Sequence, residues 1–296
     1  MASDVFKIAL FGNLYQEKKS LAVAQLLKVA SELGVGIEIP EPFRDFLVDR
    51  MHLDLPPHTV VGDDLDADVV VCMGGDGTFL DVASRVGSRQ IPILGINTGR
   101  LGFLANFAPD DIVGTLADLA AGRFEVEERS VIGISSADQE LEGIPYALNE
   151  IAILKHDISA MITIHTRIDG EYLTTYQADG LIVGTPTGST AYSLSVGGPI
   201  VVPQLHAMML TPVAPHSLNM RPLVVSDTSV VDLRVKSRSG SFLVSLDGRS
   251  ASYRDNIDLR IRLAPYKVKV ITHVGHTFFS TLRQKMMWGI DGRENL

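Results

Sequence analysis

Cysteine, tryptophan and basic residues are all scarce in this 296-residue chain, and each scarcity excludes something. The lone cysteine, Cys72, rules out an intramolecular disulfide framework and a cysteine-rich zinc site. Its run, Val69-Val70-Val71-Cys72-Met73, predicts a packed core thiol rather than a nucleophile. With 26 Lys+Arg against 35 Asp+Glu, the formal net charge is −9. That sign suits no protein that neutralises a phosphate backbone, so no nucleic-acid partner is expected. No stretch of about 18 apolar residues occurs, so neither a transmembrane helix nor a membrane partner is expected. The head of the chain offers only Val5 to Phe11 before Gly12-Asn13, without a cationic start. A secretory signal is therefore not expected, and the cytoplasm is the expected location. Neither G-x-x-x-x-G-K-[ST] nor G-x-G-x-x-G is present, which excludes an ordinary P-loop enzyme and an ordinary Rossmann dehydrogenase. The eight histidines show no metal-ligand spacing, so no protein-borne metal site is expected.

What is present is a globular composition, 46% hydrophobic and 21% charged, long enough for two domains. The first third alternates strand and helix signals. Lys7 to Phe11 ends at Gly12-Asn13 as a buried strand would, and apolar residues then recur at helical spacing from Leu21 to Leu33. Val35 to Ile39 predicts a strand closed by Pro40 and Pro42. Asp68 to Met73 is almost continuously apolar, the pattern of a parallel strand covered on both faces. A helix over Thr78 to Val86, a strand over Ile91 to Ile96 and a helix over Pro109 to Leu119 follow. From Phe124 to Val270 short β-branched runs alternate with turn residues, plainly so in Asp258 to Leu263 and Lys267 to Val270. Helical periodicity returns through Phe279, Leu282 and Met286. The expected fold is an α/β N-terminal domain with an open, Rossmann-like parallel sheet, plus an all-β, sandwich-like C-terminal domain. Its expected bounds are 1–123 and 124–274, with a segment 275–296 whose helix returns to the first domain.

The most informative segment is Gly74-Gly75-Asp76-Gly77-Thr78, placed between a buried strand and a helix. Ligands of open α/β sheets bind beyond the carboxyl ends of strands, where glycines let backbone N–H groups approach an anion. Asp76 is the odd member, because a carboxylate repels phosphate unless it holds a metal ion or takes a proton from an attacking hydroxyl. Both tasks fit phosphoryl transfer to an alcohol. A tight turn with a helix cap accounts for an isolated motif of this kind equally well.

The same five residues resemble the glycine turn of a superfamily that includes NAD kinases, diacylglycerol and sphingosine kinases, and phosphofructokinases. Four further segments single out one branch. Leu94 to Leu104, Leu148-Asn149-Glu150, the long run Asp179 to Ser195, and Thr211 to Leu218 with the tail Phe279 to Gly289 all resemble NAD kinase segments in order and spacing. The resemblance covers nearly the whole chain.

It implies transfer of the γ-phosphoryl of ATP to the 2′-hydroxyl of the adenosine ribose of NAD, with Mg²⁺ or another divalent cation accompanying the donor. Asp76 takes the proton acceptor's place, and Gly74, Gly75, Gly77 and Thr78 the phosphate turn. Asn149 and Glu150 fall on the adenosine-holding pair; Asn donates and accepts while ionised Glu accepts only, which suits amino and hydroxyl groups. Asp179, Thr187, Thr190, Ala191, Tyr192 and Ser195 fall on NAD-contacting positions. Gln177 stands where many family members carry a basic residue, and Arg249 where a glutamine is common, its guanidinium suited to a phosphate. These departures bear on substrate preference, NAD against NADH included. Asp247 reads as a turn residue before Gly248. The resemblance also implies a homodimer or homotetramer and leaves polyphosphate open as a donor. A lipid kinase of the same superfamily and a non-catalytic NAD sensor are the competing readings. The site is expected to draw Asp76 from the first domain and most NAD contacts from the second.

Overall fold

The computed structural model describes residues 5–14, 20–62, 64–99, 102–157 and 160–288. Arg100, Leu101 and Gly289 of the motif segments lie outside them. The chain divides into two compact units, Met1–Glu128 with Val268–Leu296, and Arg129–Lys267.

In the first unit, strands β1 (Lys7–Gly12), β2 (Gly36–Pro40), β3 (Thr59–Val61), β4 (Val69–Gly74) and β5 (Ile93–Asn97) pair in parallel, and β6 (Glu125–Arg129) joins them. All six residues of β4 are buried, because helices cover a parallel sheet on both faces. The helix Ser20–Glu32 presents Val23, Leu26, Leu27 and Ala30 to the sheet, a 3.6-residue stripe. Cys72 is fully buried in β4, and desolvation pushes its thiol pKa far up, as the sequence run predicts for an inert core cysteine. One element escapes the sequence reading. The chain does not simply stop at Pro40 and Pro42; a helix Glu41–Asp45 starts there and runs into a π-helical turn at Phe46–Arg50. Pro42 sits in the first helical turn, where its missing N–H has no intrahelical partner to lose.

The second unit is entirely strands and short turns of helix. Its strands are β7 (Ile132–Ser136), β8 (Tyr146–Ala147), β9 (Glu150–Lys155), β10 (Ile162–Ile168), β11 (Glu171–Ala178) and β12 (Gly180–Gly184), then β13 (Ala207–Val213), β14 (Leu223–Ser226), β15 (Val231–Lys236), β16 (Ser241–Leu246), β17 (Arg249–Arg254) and β18 (Asp258–Leu263). They form two six-stranded antiparallel sheets, ordered β11-β10-β15-β18-β7-β8 and β14-β13-β12-β9-β16-β17. Alternation decides which side chains face inward: in β15 Val231, Leu233 and Val235 are buried while Arg234 and Lys236 are exposed. The inward residues of both sheets, Ile164 and Leu233 from one, Ile153, Val183 and Phe242 from the other, share one core, as in a sandwich.

The last strand, β19 (Val268–Thr272), re-enters the first sheet and lies between β5 and β6, giving the order β3-β2-β1-β4-β5-β19-β6. The sequence reading places Lys267 to Val270 in the β domain, because alternation marks a half-covered strand but not the sheet it joins. Burial of Val270, Ile271 and Thr272 in succession is the parallel-sheet signature. Unit boundaries accordingly fall at 128/129 and 267/268, rather than at 123/124 and 274/275. The helix Phe278–Met286 follows in the same unit. Among the described residues, no helix is long and apolar enough to cross a membrane.

Phe79, fully buried in the helix Asp76–Val86, anchors the glycine turn to the sheet. A Cβ on Gly95 of β5 would lie 3.0 Å from its ring and 2.7 Å from Ala105 Cα, so the packing leaves room only for glycine there. Phe79→Ala should cost about 3–5 kcal/mol in urea unfolding, the range for removing a buried phenyl ring.

Candidate functional site

The strand order reverses between β1 and β4, and it is at the carboxyl ends of strands beside such a switch point that ligands of open α/β sheets bind. Gly74-Gly75-Asp76 occupies that switch point. Thr98 N–H donates to the Gly74 carbonyl at 3.2 Å, and Asn13 N–H to the Met73 carbonyl at 3.3 Å. Gly75 caps the helix in extended conformation, and Asp76 is its first residue. The glycines differ in why they are glycines. A Cβ on Gly74 would fall 2.3 Å from the Thr78 hydroxyl, so packing explains it. Cβ atoms on Gly75 or Gly77 would meet nothing within 4 Å, and neither residue has a positive φ.

Asp76 is fully engaged. Its Oδ1 accepts the N–H groups of Leu104 and Ala105, each at 3.1 Å; its Oδ2 accepts that of Phe103 at 2.9 Å and an ion pair from Lys285 Nζ at 3.4 Å. The segment it grips returns to β5 through Phe107, whose N–H donates to Gly95 and whose carbonyl accepts from Asn97. Gly102 lies so close to the carboxylate that a Cβ would stand 1.9 Å from Oδ1.

A second cluster lies within the other unit. Asp247 accepts the N–H groups of Leu148, Asn149 and Glu150 at 2.6, 2.8 and 3.0 Å. Thr185 ties the next layer: its hydroxyl donates to the Leu148 carbonyl at 2.5 Å and accepts Gly188 N–H at 3.2 Å. Gly188 rests directly on Asn149, whose carbonyl would be 2.0 Å from an added Cβ. Ser189 donates to the Val201 carbonyl and accepts its N–H, and Ser193 bonds the Thr211 hydroxyl at 2.8 Å. Tyr192 contributes its N–H to the Glu150 carboxylate, while its ring is partly exposed. Two polar atoms here are buried and unpartnered, Glu150 Oε2 and Thr187 Oγ1. Burial, and then the nearby Asp247 charge, push the Glu150 carboxyl up to about 7 against the Tyr192 N–H that opposes them. Asp247 is also raised by burial, but its three backbone N–H donors pull it back.

The remaining predicted residues are spread over the same unit. Asp179 holds Lys155 Nζ at 2.8 Å, Thr190 donates to the Thr187 carbonyl, and Ala191 and Ser195 flank Tyr192 on the following short turns. Gln177 faces outward on β11, opposite Thr163. Arg249 spends its guanidinium on the carbonyls of Ile144, Tyr146 and Leu246. Two participants escape the sequence reading. Asp247 has a signal, Asp-Gly between two alternating runs, which announces a hairpin but not its reach. Lys285 has none beyond its place on the helical tail.

Residues 19–124 match the model of the ATP-NAD kinase N-terminal domain, and residues 148–273 that of the ATP-NAD kinase C-terminal domain. An NAD kinase of Bacteroides fragilis is 52% identical over 288 residues, covering 97% of this chain and 99% of that protein. The chain belongs to the NAD kinase family. Another member, from Porphyromonas gingivalis, is 43% identical over 96% of this chain and 98% of its own. Among solved structures, a yeast NADH kinase complexed with NADH shares the fold at a TM-score of 0.87 and 23% identity, covering 98% of this chain and 90% of that one. An NAD kinase from Archaeoglobus fulgidus in complex with ATP superposes with a TM-score of 0.75 at 28% identity, covering 95% and 99%.

The raised Glu150 carboxyl has a consequence for stability. Folding favours its protonated form, so the contribution is complete below the ordinary value of 4.5 and is lost as pH rises toward about 7. Glu150→Gln removes that titration while keeping an acceptor for Tyr192 N–H. Urea unfolding should show the variant and the parent alike near pH 4, with the variant more stable at pH 8 by on the order of 2 kcal/mol.

Proposed function

We propose that the chain transfers the γ-phosphoryl group of ATP to the 2′-hydroxyl of the adenosine ribose of NAD, giving NADP. The observation that carries this reading is the buried, unpartnered Glu150 Oε2 beside Asn149 and the unpartnered Thr187 hydroxyl. A buried polar atom without a partner costs about 1–3 kcal/mol, which a ligand bearing hydroxyl and amino groups, able to donate and accept, would recover. Adenosine carries both. Asn149, Glu150, Asp179, Thr187, Thr190, Ala191, Tyr192 and Ser195 hold NAD in this proposal.

Gly74, Gly75, Gly77 and Thr78 receive the donor's phosphates. Gly77 has no internal reason to be glycine, Gly75 being the helix N-cap, and bare backbone at a helix N-terminus is what a close-lying anion requires. Asp76 accepts the proton. The 2′-oxygen forms its bond to Pγ, the bond from Pγ to the bridging oxygen breaks, ADP keeps that electron pair, and the hydroxyl proton passes to the Asp76 carboxylate. The divalent cation, Mg²⁺ in this proposal, rides on the donor's phosphates and neutralises charge there. Among the described residues no three His, Cys, Asp or Glu side chains converge, and Mg²⁺ beside phosphates needs only one or two carboxylates. Resemblance to the family supports a homodimer or homotetramer in the cytoplasm, which light scattering would check, and polyphosphate is a donor to be tried beside ATP.

Purified protein with NAD, ATP and Mg²⁺ should form NADP, read by an NADP-specific dehydrogenase; no product with any donor would overturn the reading. Asp76→Asn should lower turnover by about three orders of magnitude while circular dichroism stays native, since it removes the proton acceptor and one oxygen of the grip on Phe103 to Ala105 but no core side chain. Gly77→Ala separates binding from stability. It should raise stability by about 0.5–1 kcal/mol, as helix propensity dictates, yet raise KM for ATP about tenfold or more.

A further inference from the structure

We propose that Lys285 is a positioning residue for phosphoryl transfer: it holds the Asp76 carboxylate in place and releases one of its oxygens to the acceptor hydroxyl. The inference rests on the reading of Asp76 as proton acceptor. An ionised carboxylate offers about four acceptor positions. All are taken at Asp76, by the N–H groups of Phe103, Leu104 and Ala105 and by Lys285. Before Asp76 can receive a substrate hydroxyl, one donor must leave.

The three backbone donors are not free to go. Gly102 has no room for a Cβ against Asp76, Ala105 is pressed on Gly95, and the segment is pinned to β5 at Phe107. Lys285 differs in every respect. It is the only side chain of the four, its contact is the longest at 3.4 Å, and both partners keep 31% of their side-chain surface exposed. An ion pair that open contributes little to stability, so it has another use. Its ammonium also stands 4.4 Å from the centroid of the Phe103 ring. That cation–π contact is made from the same position as the ion pair, so the ring supports the ammonium independently of the carboxylate.

The helix Phe278–Met286 supplies the mounting. Thr277 caps it by accepting Ser280 N–H at 3.2 Å, Thr281 and Leu282 are buried, and the Phe278 ring lies 6.0 Å from that of Phe103. Lys285 comes from the last helical turn, where a cation is also favoured by the helix dipole. The amine stays protonated throughout; the transferred proton goes to Asp76 alone.

Lys285→Cys provides the test, because the native Cys72 is fully buried and leaves the new thiol as the reactive one. Treatment with 2-bromoethylamine converts that thiol into an aminoethyl thioether, close to lysine in length and charge. The same folded sample is then assayed before and after. The unmodified variant should lose at least about tenfold in kcat with KM for NAD and ATP within about threefold of the parent, and its melting temperature should stay within about 2 °C. Aminoethylation should bring kcat back to within about threefold. Full kcat in Lys285→Cys, no recovery on aminoethylation, or a loss that follows melting temperature instead of kcat would each overturn the assignment of Lys285 alone. A parent protein that forms no NADP from any donor would instead overturn the kinase reading, and this inference with it.

Discussion

Three successive backbone N–H groups, those of Leu148, Asn149 and Glu150, converge on the Asp247 carboxylate, and the candidate adenosine contacts hang on that grip. These donors stand at the entry to β9, where the ladder has not yet begun and buried N–H groups need another partner. Asp247 reaches them from a two-residue turn joining β16 to β17, with φ of 49° at Asp247 and 85° at Gly248, the mirror-type turn that an Asp-Gly pair accepts. Since β16 pairs directly with β9, the turn delivers the carboxylate onto the start of that strand. Asp76 repeats the device in the other unit, gripping Phe103, Leu104 and Ala105. Each unit thus spends one aspartate to freeze a loop that would otherwise have three loose donors.

The two grips have different electrostatic outcomes. Asp76 is partly exposed and has a cation beside it, so its negative charge is well compensated. Asp247 is half-buried within reach of a buried carboxyl, Glu150, and two like charges so close in a poorly solvated place cannot both be cheap. The three N–H donors favour the charge on Asp247, while Glu150 has the single N–H of Tyr192. The proton therefore goes to Glu150, whose environment and that of Asp247 push the pair apart in the manner of paired acids in active sites. Glu150 keeps one oxygen without a partner. A carboxyl held in that state is destabilising for the chain alone and is relieved by a hydrogen-bonding partner from outside, an acceptor when it is protonated and a donor when it is ionised.

Local patterns carried the architecture. The unbroken apolar run ending in Gly74 is legible as a buried strand because both faces of a parallel sheet are covered, and the glycine turn after it as a ligand-side loop because strands of such sheets end there. What was not legible is everything that depends on which distant residue arrives. Alternation in Lys267 to Val270 announces a strand equally well for either unit, and only the pairing of Val270 with Ile93 places it in the first sheet. The hairpin at Asp247-Gly248 is visible, yet its carboxylate acts on residues nearly a hundred positions earlier. Lys285 meets Asp76 across 209 positions, and no periodicity encodes such a meeting. Arg249 shows the converse: a guanidinium that reads as suited to a phosphate donates to three carbonyls, those of Leu246 in its own hairpin and of Ile144 and Tyr146.

Net charge is the sequence property that bears least on the site. A total of −9 disfavours long anionic partners, whose phosphates sample the whole surface, but a single polyphosphate samples a few ångströms. At that range the glycine turn is decisive. Glycine normally answers a demand from within the fold, either a left-handed φ or a crowded Cβ, and Gly74 and Gly95 answer the second. Gly75 serves as the helix N-cap, but Gly77 answers neither, and glycine within a helix costs stability relative to alanine. Gly77 is a residue that the fold would replace to its own advantage, and its backbone suits the anion that the proposed function rests on the bare N–H groups beside Asp76.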